Sequence, residues 1–364
     1  MLVLGLESGA VRLLDETCGK QLWHNEQYNS PSERWRIRPR GVSVACSPHG
    51  RYIASVDRSS ESWTIWNLDG TTEHIQPGNM RGLESVTFSP CNRLIAVISF
   101  HGTMKVYNTK TYTQLWELKT PNMLHSVSFS GDSKFVAAVS MCGTVHIRYA
   151  ATGIGLKTII TEGVGEFCPT DNNLFATTNG DDLALWNIET AQTKWKIKHG
   201  RDDYLEIRNF ARFSPDGKTI ATVQQDKMPE YSDQESDSDA EEVHEEQTNY
   251  VLVVDAANGE TKFSLAHLMG YSVYDAAFSP DGGQLACVGS YAVTRGMCAL
   301  WNMSDGNMIC QIRQSSPIRS VAWVDIEVQR REALAMVLHD RLGAGARLRI
   351  VDEEVLRMIA YLGK

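Results

Sequence analysis

The sequence predicts an all-β fold made of one four-stranded unit repeated along the chain, with no significant helix. Three registers of residues predict it. The first is a short apolar strand that ends in aromatic-Ser-Pro-Asp-Gly or a variant. The second lies about twenty residues on, where an apolar strand closes on an aromatic or aliphatic residue followed by Asn or Asp. The third lies eight residues beyond that, where a large apolar residue sits in a further short strand.

The clearest first marks are Phe213-Ser214-Pro215-Asp216-Gly217 and Phe278-Ser279-Pro280-Asp281-Gly282. Weaker copies begin at Cys46, Phe88, Phe129 and Phe167, and Val321-Ala322-Trp323 is a seventh strand that has lost its Ser-Pro turn. Pro-Asp-Gly makes a turn for physical reasons: Pro presets φ, Asp bonds the local backbone, and Gly takes positive φ. The second marks are Leu14-Asp15, Trp66-Asn67, Tyr107-Asn108, Tyr149-Ala150 (worn), Trp186-Asn187, Val254-Asp255, Trp301-Asn302 and Val351-Asp352. Their spacing is 37 to 52 residues, except for one step of 68 that holds a 22-residue acidic insert. The third marks are Trp23, Ile75, Trp116, Trp195, Phe263 and Cys310.

Four short strands per unit with turns between them fit a four-stranded blade, and a period near 40 to 45 residues fits a ring of such blades. On these three registers together, nearly the whole chain resembles the WD-repeat β-propeller family. The departures are plain. The dipeptide is Trp-Asn three times and never Trp-Asp, and the family's Gly-His pair is largely missing. The family's buried His–Asp–Ser–Trp network is therefore not expected in most blades.

Residues 1–364 read as one propeller of seven or eight blades. Seven inner strands are expected, near 42–46, 84–88, 125–129, 164–167, 208–213, 273–278 and 318–323, against eight third strands. Residues 1–23 look like an incomplete first blade. Two closures are open. Residues 355–364 could supply the missing inner strand, giving eight blades. Alternatively they are the fourth strand of the last blade, giving seven blades plus a hairpin. The second closure would make the chain a piece of a longer protein.

The chain carries a net charge of −9. That acidity is local. Residues 226–247 hold ten carboxylates and one lysine, a sum of −9, which leaves the other 342 residues formally neutral. Dense like charge with few apolar residues predicts a disordered loop. No apolar run reaches the ~18 residues that would span a bilayer. Eight scattered cysteines without a Cys-x-x-Cys pair, and no signal peptide, point to free thiols in the cytoplasm, or the nucleus, and to no zinc site.

The sequence holds no phosphate-binding Gly-x-x-x-x-Gly-Lys-Ser/Thr loop, no Gly-x-Ser-x-Gly elbow and no His-Glu-x-x-His. The expectation is a protein without catalytic residues, metal or cofactor. Three features suit binding instead. Arg34, Arg36, Arg38 and Arg40 alternate with Trp35, Ile37 and Pro39, so an extended chain puts four guanidinium groups on one face. A solvated edge strand would look the same. In the acidic insert, Ser232, Ser236 and Ser238 each precede a carboxylate by three residues, which suits an acidophilic kinase, and each phosphate would add about −1.5 to −2 charges. The third feature is the ring of residues five before each Ser-Pro position: Val42, Glu84, His125, Gly163, Asn209, Tyr274 and Arg319. The family geometry implies that these residues face the mouth of the central channel, and that all three features share one face. The acidic loop is then expected to mask Arg34 to Arg40.

The resemblance implies a non-catalytic scaffold or sensor that is monomeric as a domain and binds peptides or partner proteins on its channel-mouth face. Phosphate-ligand binding (nucleic acid or phosphoinositide) through Arg34–Arg40 is the alternative, although the paired arginines of phosphoinositide-binding propellers are missing. Nucleic acid is the less expected of these ligands, although the acidic total weighs little against it because the charge sits in residues 226–247 and the rest of the chain is formally neutral. A third possibility is the C-terminal propeller of a larger signalling protein.

Overall fold

Five of the repeats are anchored by a serine at the Ser-Pro mark. Ser214 Oγ donates to Asp216 Oδ1 at 2.6 Å and accepts from the Thr219 amide at 3.0 Å, while Gly217 turns the chain at φ +70°. Ser279, Asp281 and Gln284 repeat the arrangement at 2.6 and 2.8 Å. Where Asp is absent, Ser47 and Ser89 still accept from Tyr52 N and Leu94 N, at 2.8 and 3.0 Å. These serines are buried, so the turn satisfies a polar group that would otherwise be costly inside the fold. Each turn joins the first two strands of a unit.

The computed structural model describes residues 1–15, 20–25, 41–57, 61–77, 80–161, 163–179, 182–198, 210–225, 249–266, 271–291 and 295–326. Among them lie twenty-eight strands in seven four-stranded antiparallel sheets, the blades of a β-propeller. From the channel outward, blade 1 is Val42–Cys46, Tyr52–Asp57, Trp63–Asn67 and Thr72–Gln76. Blade 2 is Leu83–Phe88, Leu94–Ser99, Thr103–Asn108 and Gln114–Lys119. Blade 3 is Leu124–Phe129, Phe135–Ser140, Thr144–Tyr149 and Gly155–Ile160. Blade 4 is Val164–Phe167, Leu174–Thr178, Asp182–Asn187 and Gln192–Lys198. Blade 5 is Ala211–Phe213, Thr219–Gln225, Asn249–Asp255 and Thr261–Ala266. Blade 6 is Tyr271–Phe278, Gln284–Tyr291, Arg295–Asn302 and Met308–Gln314.

Blade 7 joins the two ends of the described chain. Its inner strand is Ile318–Trp323, and its outer three are Leu2–Leu6, Val11–Leu14 and Gln21–Asn25. Leu2 pairs with Trp323 and Leu4 with Val321, antiparallel. This corrects the eight-blade closure. The inner place that 355–364 was expected to fill is occupied by 318–323, which pairs with Leu2–Leu6 over its length. Residues 355–364 and the eighth third-strand mark, Val351-Asp352, lie outside the described residues.

The core is seven clusters, one between each pair of neighbouring blades. Successive side chains of a strand point to opposite faces. Leu2, Leu4 and Leu6 therefore pack on blade 6, with Val288 and Leu300, while Val3 packs on blade 1, with Val44 and Trp66. A blade buried on both faces needs continuous apolar strands, which is why Leu2–Leu6 and Leu94–Ser99 are buried throughout.

The third register has a mechanical role. Trp23, Trp116 and Trp195, on the outer strands of blades 7, 2 and 4, donate their indole N–H to Leu68 O, Ala150 O and Ala256 O of the next blade, at 2.7, 2.8 and 3.0 Å. Their rings lie on Gly70, Gly153 and Gly259, all at positive φ, and Phe263 lies on Gly306 in the same way. The outer strands of blades 7, 2, 4 and 5 thus hook the next blade's last turn.

Candidate channel-mouth binding site

Around the channel the inner strands are stitched by polar groups. Gly165 N and Phe167 N of blade 4 donate to Ser126 Oγ and Ser128 Oγ of blade 3, at 3.2 and 3.0 Å. Glu166 Oε1 accepts from Phe213 N of blade 5 at 2.6 Å. Arg212 of blade 5 donates to Glu166 Oε2 at 3.2 Å and to Asp275 Oδ1 of blade 6 at 2.8 Å. Asp275 Oδ2 accepts from Ser320 Oγ of blade 7 at 3.1 Å, and Ser320 Oγ accepts from Val44 N of blade 1 at 3.3 Å. Burial pushes the Glu166 carboxyl above its usual range. Burial disfavours the Arg212 cation, but Asp275 and Glu166 outweigh it and hold the charge more firmly than usual. The sequence signal for this belt was a charged residue in the middle of an apolar inner strand, as in Val-Gly-Glu-Phe and Ala-Arg-Phe.

The channel encloses about 420 Å³. Glu84, His125, Tyr274 and Arg319 line it. A single backbone device puts them there. On blade 2, Leu83 pairs with Ser99 and Ser85 with Ile98, so Glu84 is the extra residue of a β-bulge. His125 is skipped in the same way between Leu124 and Ser126, and Tyr274 between Val273 and Asp275. On blade 7, Ser320 pairs with Gly5 and Ile318 with Leu6, which skips Arg319. A bulge leaves its extra residue unpaired and re-aims its side chain. Four inner strands therefore bulge at the same register and lean that residue into the mouth.

The four form two neighbouring pairs. Glu84 Oε1 and His125 Nε2 are 4.0 Å apart, with Glu84 almost wholly buried. Arg319 lies 4.0 Å over the Tyr274 ring and is held by Glu7 Oε2 at 2.6 and 3.0 Å, while the Ser290 hydroxyl bonds the Tyr274 hydroxyl at 2.8 Å.

Of the other ring positions, Val42 does not line the channel. Blade 1 has no bulge there, so Val42 pairs regularly with Asp57 and is buried in the core between blades 7 and 1. Gly163 lies just before the blade 4 inner strand, and Asn209 lies outside the described residues. Arg34, Trp35, Arg36, Arg38 and Arg40 also lie outside them, as do Ser232, Ser236 and Ser238. Their anchor points are described. Gly41, after the arginine segment, packs against the Arg319 side chain. The acidic insert joins Gln225 to Asn249, which pair at the channel-mouth end of blade 5. Both segments thus leave the fold at the end where Glu84, His125, Tyr274 and Arg319 lie.

The seven described cysteines are free thiols, and no group of His, Cys, Asp and Glu suited to a metal occurs among the described residues. No helix of the described residues is long and apolar enough to cross a membrane. Compared with known protein families and with curated proteins, the chain's sequence matches no family model and no curated protein.

Proposed function

We propose that this propeller is a non-catalytic interaction module of the WD-repeat kind, which binds peptide segments of partner proteins at its channel mouth. The observation that carries the reading is the set of matched bulges. Four inner strands deviate at one register, and each deviation turns a polar or aromatic side chain toward the same opening. Bulges concentrate where a side chain must be re-aimed for function. A rigid ring stitched by the Glu166–Arg212–Asp275 belt holds such side chains in place without moving parts.

Remnants of the WD-repeat network support that kinship. Trp66 Nε1 donates to Ser55 Oγ at 2.7 Å, and Trp186 Nε1 to Thr177 Oγ1 at 2.8 Å. Each links the third strand of its blade to the second.

The test is affinity capture with the intact chain beside a His125→Ala/Tyr274→Ala variant and a rim variant, Lys262→Ala. Partners held by the wild-type chain and the rim variant but lost by the mouth variant are expected. A partner set that ignores the mouth substitutions would place the binding surface elsewhere.

A further inference from the structure

We infer that the outer edge of blade 3 pairs two copies of this chain, strand to strand, across a two-fold axis at Thr158. The pairing is independent of the channel mouth. It departs from the monomer that the resemblance to WD-repeat propellers implies.

The outer strand of a blade has one free edge, whose unpaired backbone groups are a template for another strand, and exposed charges guard such edges. Six of the seven outer strands expose an ionisable residue: His24, Glu73, Lys119, Lys194, Lys262 and Arg313, on blades 7, 1, 2, 4, 5 and 6. Gly155–Ile160 of blade 3 does not. Its exposed positions are Gly155, Leu156, Thr158 and Ile160. Its one ionisable residue, Lys157, is tied to blade 4, where Nζ donates to Ile188 O and Glu189 O at 3.0 and 2.7 Å. Blade 3 also holds six of the nine large apolar residues that stand exposed among the described residues: Met123, Met141, Tyr149, Ile154, Leu156 and Ile160. Scattered single apolar residues are normal on a surface, but a concentration on one blade marks an interaction site.

The backbone register selects the occupant. Thr161 N donates to Gly143 O at 2.8 Å, and the ladder continues with Ile160 opposite Thr144 and Thr158 opposite His146. Hydrogen-bonded pairs alternate along an antiparallel ladder. Ile159 and Lys157 therefore bond the third strand of blade 3, and the N–H and C=O groups of Leu156, Thr158 and Ile160 point to the free edge. An antiparallel copy centred on Thr158 sets Thr158 against Thr158, Leu156 against Ile160 and Lys157 against Ile159. Every free backbone group of this stretch then meets a partner, and no like charges face each other. Leu156, Thr158 and Ile160 share one face, so the two copies join their exposed side chains into a single row. The outer strand of blade 4, Gln192–Lys198, would set lysine against lysine in the same arrangement. Ile160 lies at the channel-mouth end of its strand, so in an antiparallel pair the two mouths open on opposite sides of the dimer.

A strand pair buries less than the roughly 1,200–2,000 Å² of a standard interface, so the dimer is weak and forms in concentrated solution. Analytical ultracentrifugation of the full chain from about 1 μM to about 500 μM covers that range. The mass of the wild type should climb toward that of two chains. Thr158→Lys and Thr158→Glu each set like charges face to face on the axis, and each should dimerise about fivefold or more weakly. Mixed in equal amounts they set Lys against Glu, and association should return to at least wild-type strength. Thr158 is exposed, and melting temperatures equal to the wild type show that neither variant acts through misfolding.

A wild-type chain that keeps the mass of one copy throughout overturns the inference, whatever the variants do, and leaves the edge to a strand of another protein. Dimerisation that both variants leave unchanged, or that their mixture fails to restore, overturns the pairing at Thr158.

Discussion

Gly153→Ala tests the hook between blades quantitatively. Gly153 lies at φ +73° in the last turn of blade 3, under the Trp116 ring of blade 2. A Cβ there would sit 2.6 Å from the ring, where ordinary contact needs about 3.5 Å or more. The indole must therefore move by about 1 Å, which spoils its 2.8 Å bond to Ala150 O. Gly282 is the internal control. It has the same φ, +73°, but its Cβ would meet only Pro215 Cδ at 3.7 Å, an ordinary contact. Both substitutions carry the left-handed backbone penalty of about 1 kcal/mol. Only Gly153→Ala adds the displaced ring and the weakened hydrogen bond, together about 1–3 kcal/mol. For a domain of this size the entropy of unfolding converts 1 kcal/mol into about 1.5 °C of melting temperature. Scanning calorimetry should show a loss of about 1.5 °C for Gly282→Ala and about 3–6 °C for Gly153→Ala, with most of the excess removed in a Trp116→Ala background. Equal losses for the two glycines would refute the hook.

Three further outcomes follow from the same geometry. Asp275→Ala deprives Arg212, Ser320 Oγ and Val321 N of their acceptor in a buried setting, so chemical denaturation should show a loss of about 3 kcal/mol. Asp216 and Asp281 are held below the usual carboxyl range, first by the Ser214 and Ser279 hydroxyls and then by backbone amides. A carboxyl whose folded value lies below its unfolded value stabilises the fold above about pH 4 and loses that contribution as pH falls through the folded value. An Asp216→Asn/Asp281→Asn variant should therefore show a flatter fall of melting temperature below pH 4 than the wild type. Among the described thiols, exposed Cys91 and Cys142 should react with a disulfide reagent within minutes at neutral pH. For Cys91 burial is the largest single effect and raises the value, but hydrogen bonds from the Ser133 and Ser89 hydroxyls and the Arg93 backbone together outweigh it; the Ser140 and Thr144 hydroxyls lower that of Cys142. Buried Cys287 and Cys298, raised by burial, should wait for unfolding, and mass-mapped labelling separates the two groups.

Much of this architecture was legible because the turns write themselves into the chain. Every Ser-Pro-type mark sits where an inner strand ends, since a buried serine that bonds both sides of the turn is a local requirement. The third register was visible as a row of large residues, but its reason, a glycine of the next blade beneath each aromatic ring, was not. Blade 7 defeated sequence reading because Leu2–Leu6 and Ile318–Trp323 lie far apart in the sequence, and no local pattern encodes their pairing. The mouth was half legible. The register five before each Ser-Pro position picked out Glu84, His125, Tyr274 and Arg319, yet it also picked out Val42. What separates them is whether the strand bulges, and that depends on the partner strand's register. The Glu166–Arg212–Asp275 belt carried a visible sign, charges inside apolar strands, that only the ring's channel explains.

Closure of the ring by its own first strand is the claim on which the channel, its mouth and the belt all depend. Hydrogen exchange at the amides of residues 2–6 tests it most directly. That strand lies between Ile318–Trp323 and Val11–Leu14, with its side chains buried on both faces. Exchange there as slow as in Leu94–Ser99, the corresponding strand of blade 2, is the predicted result. Exchange within seconds, as at a frayed terminus, would contradict it.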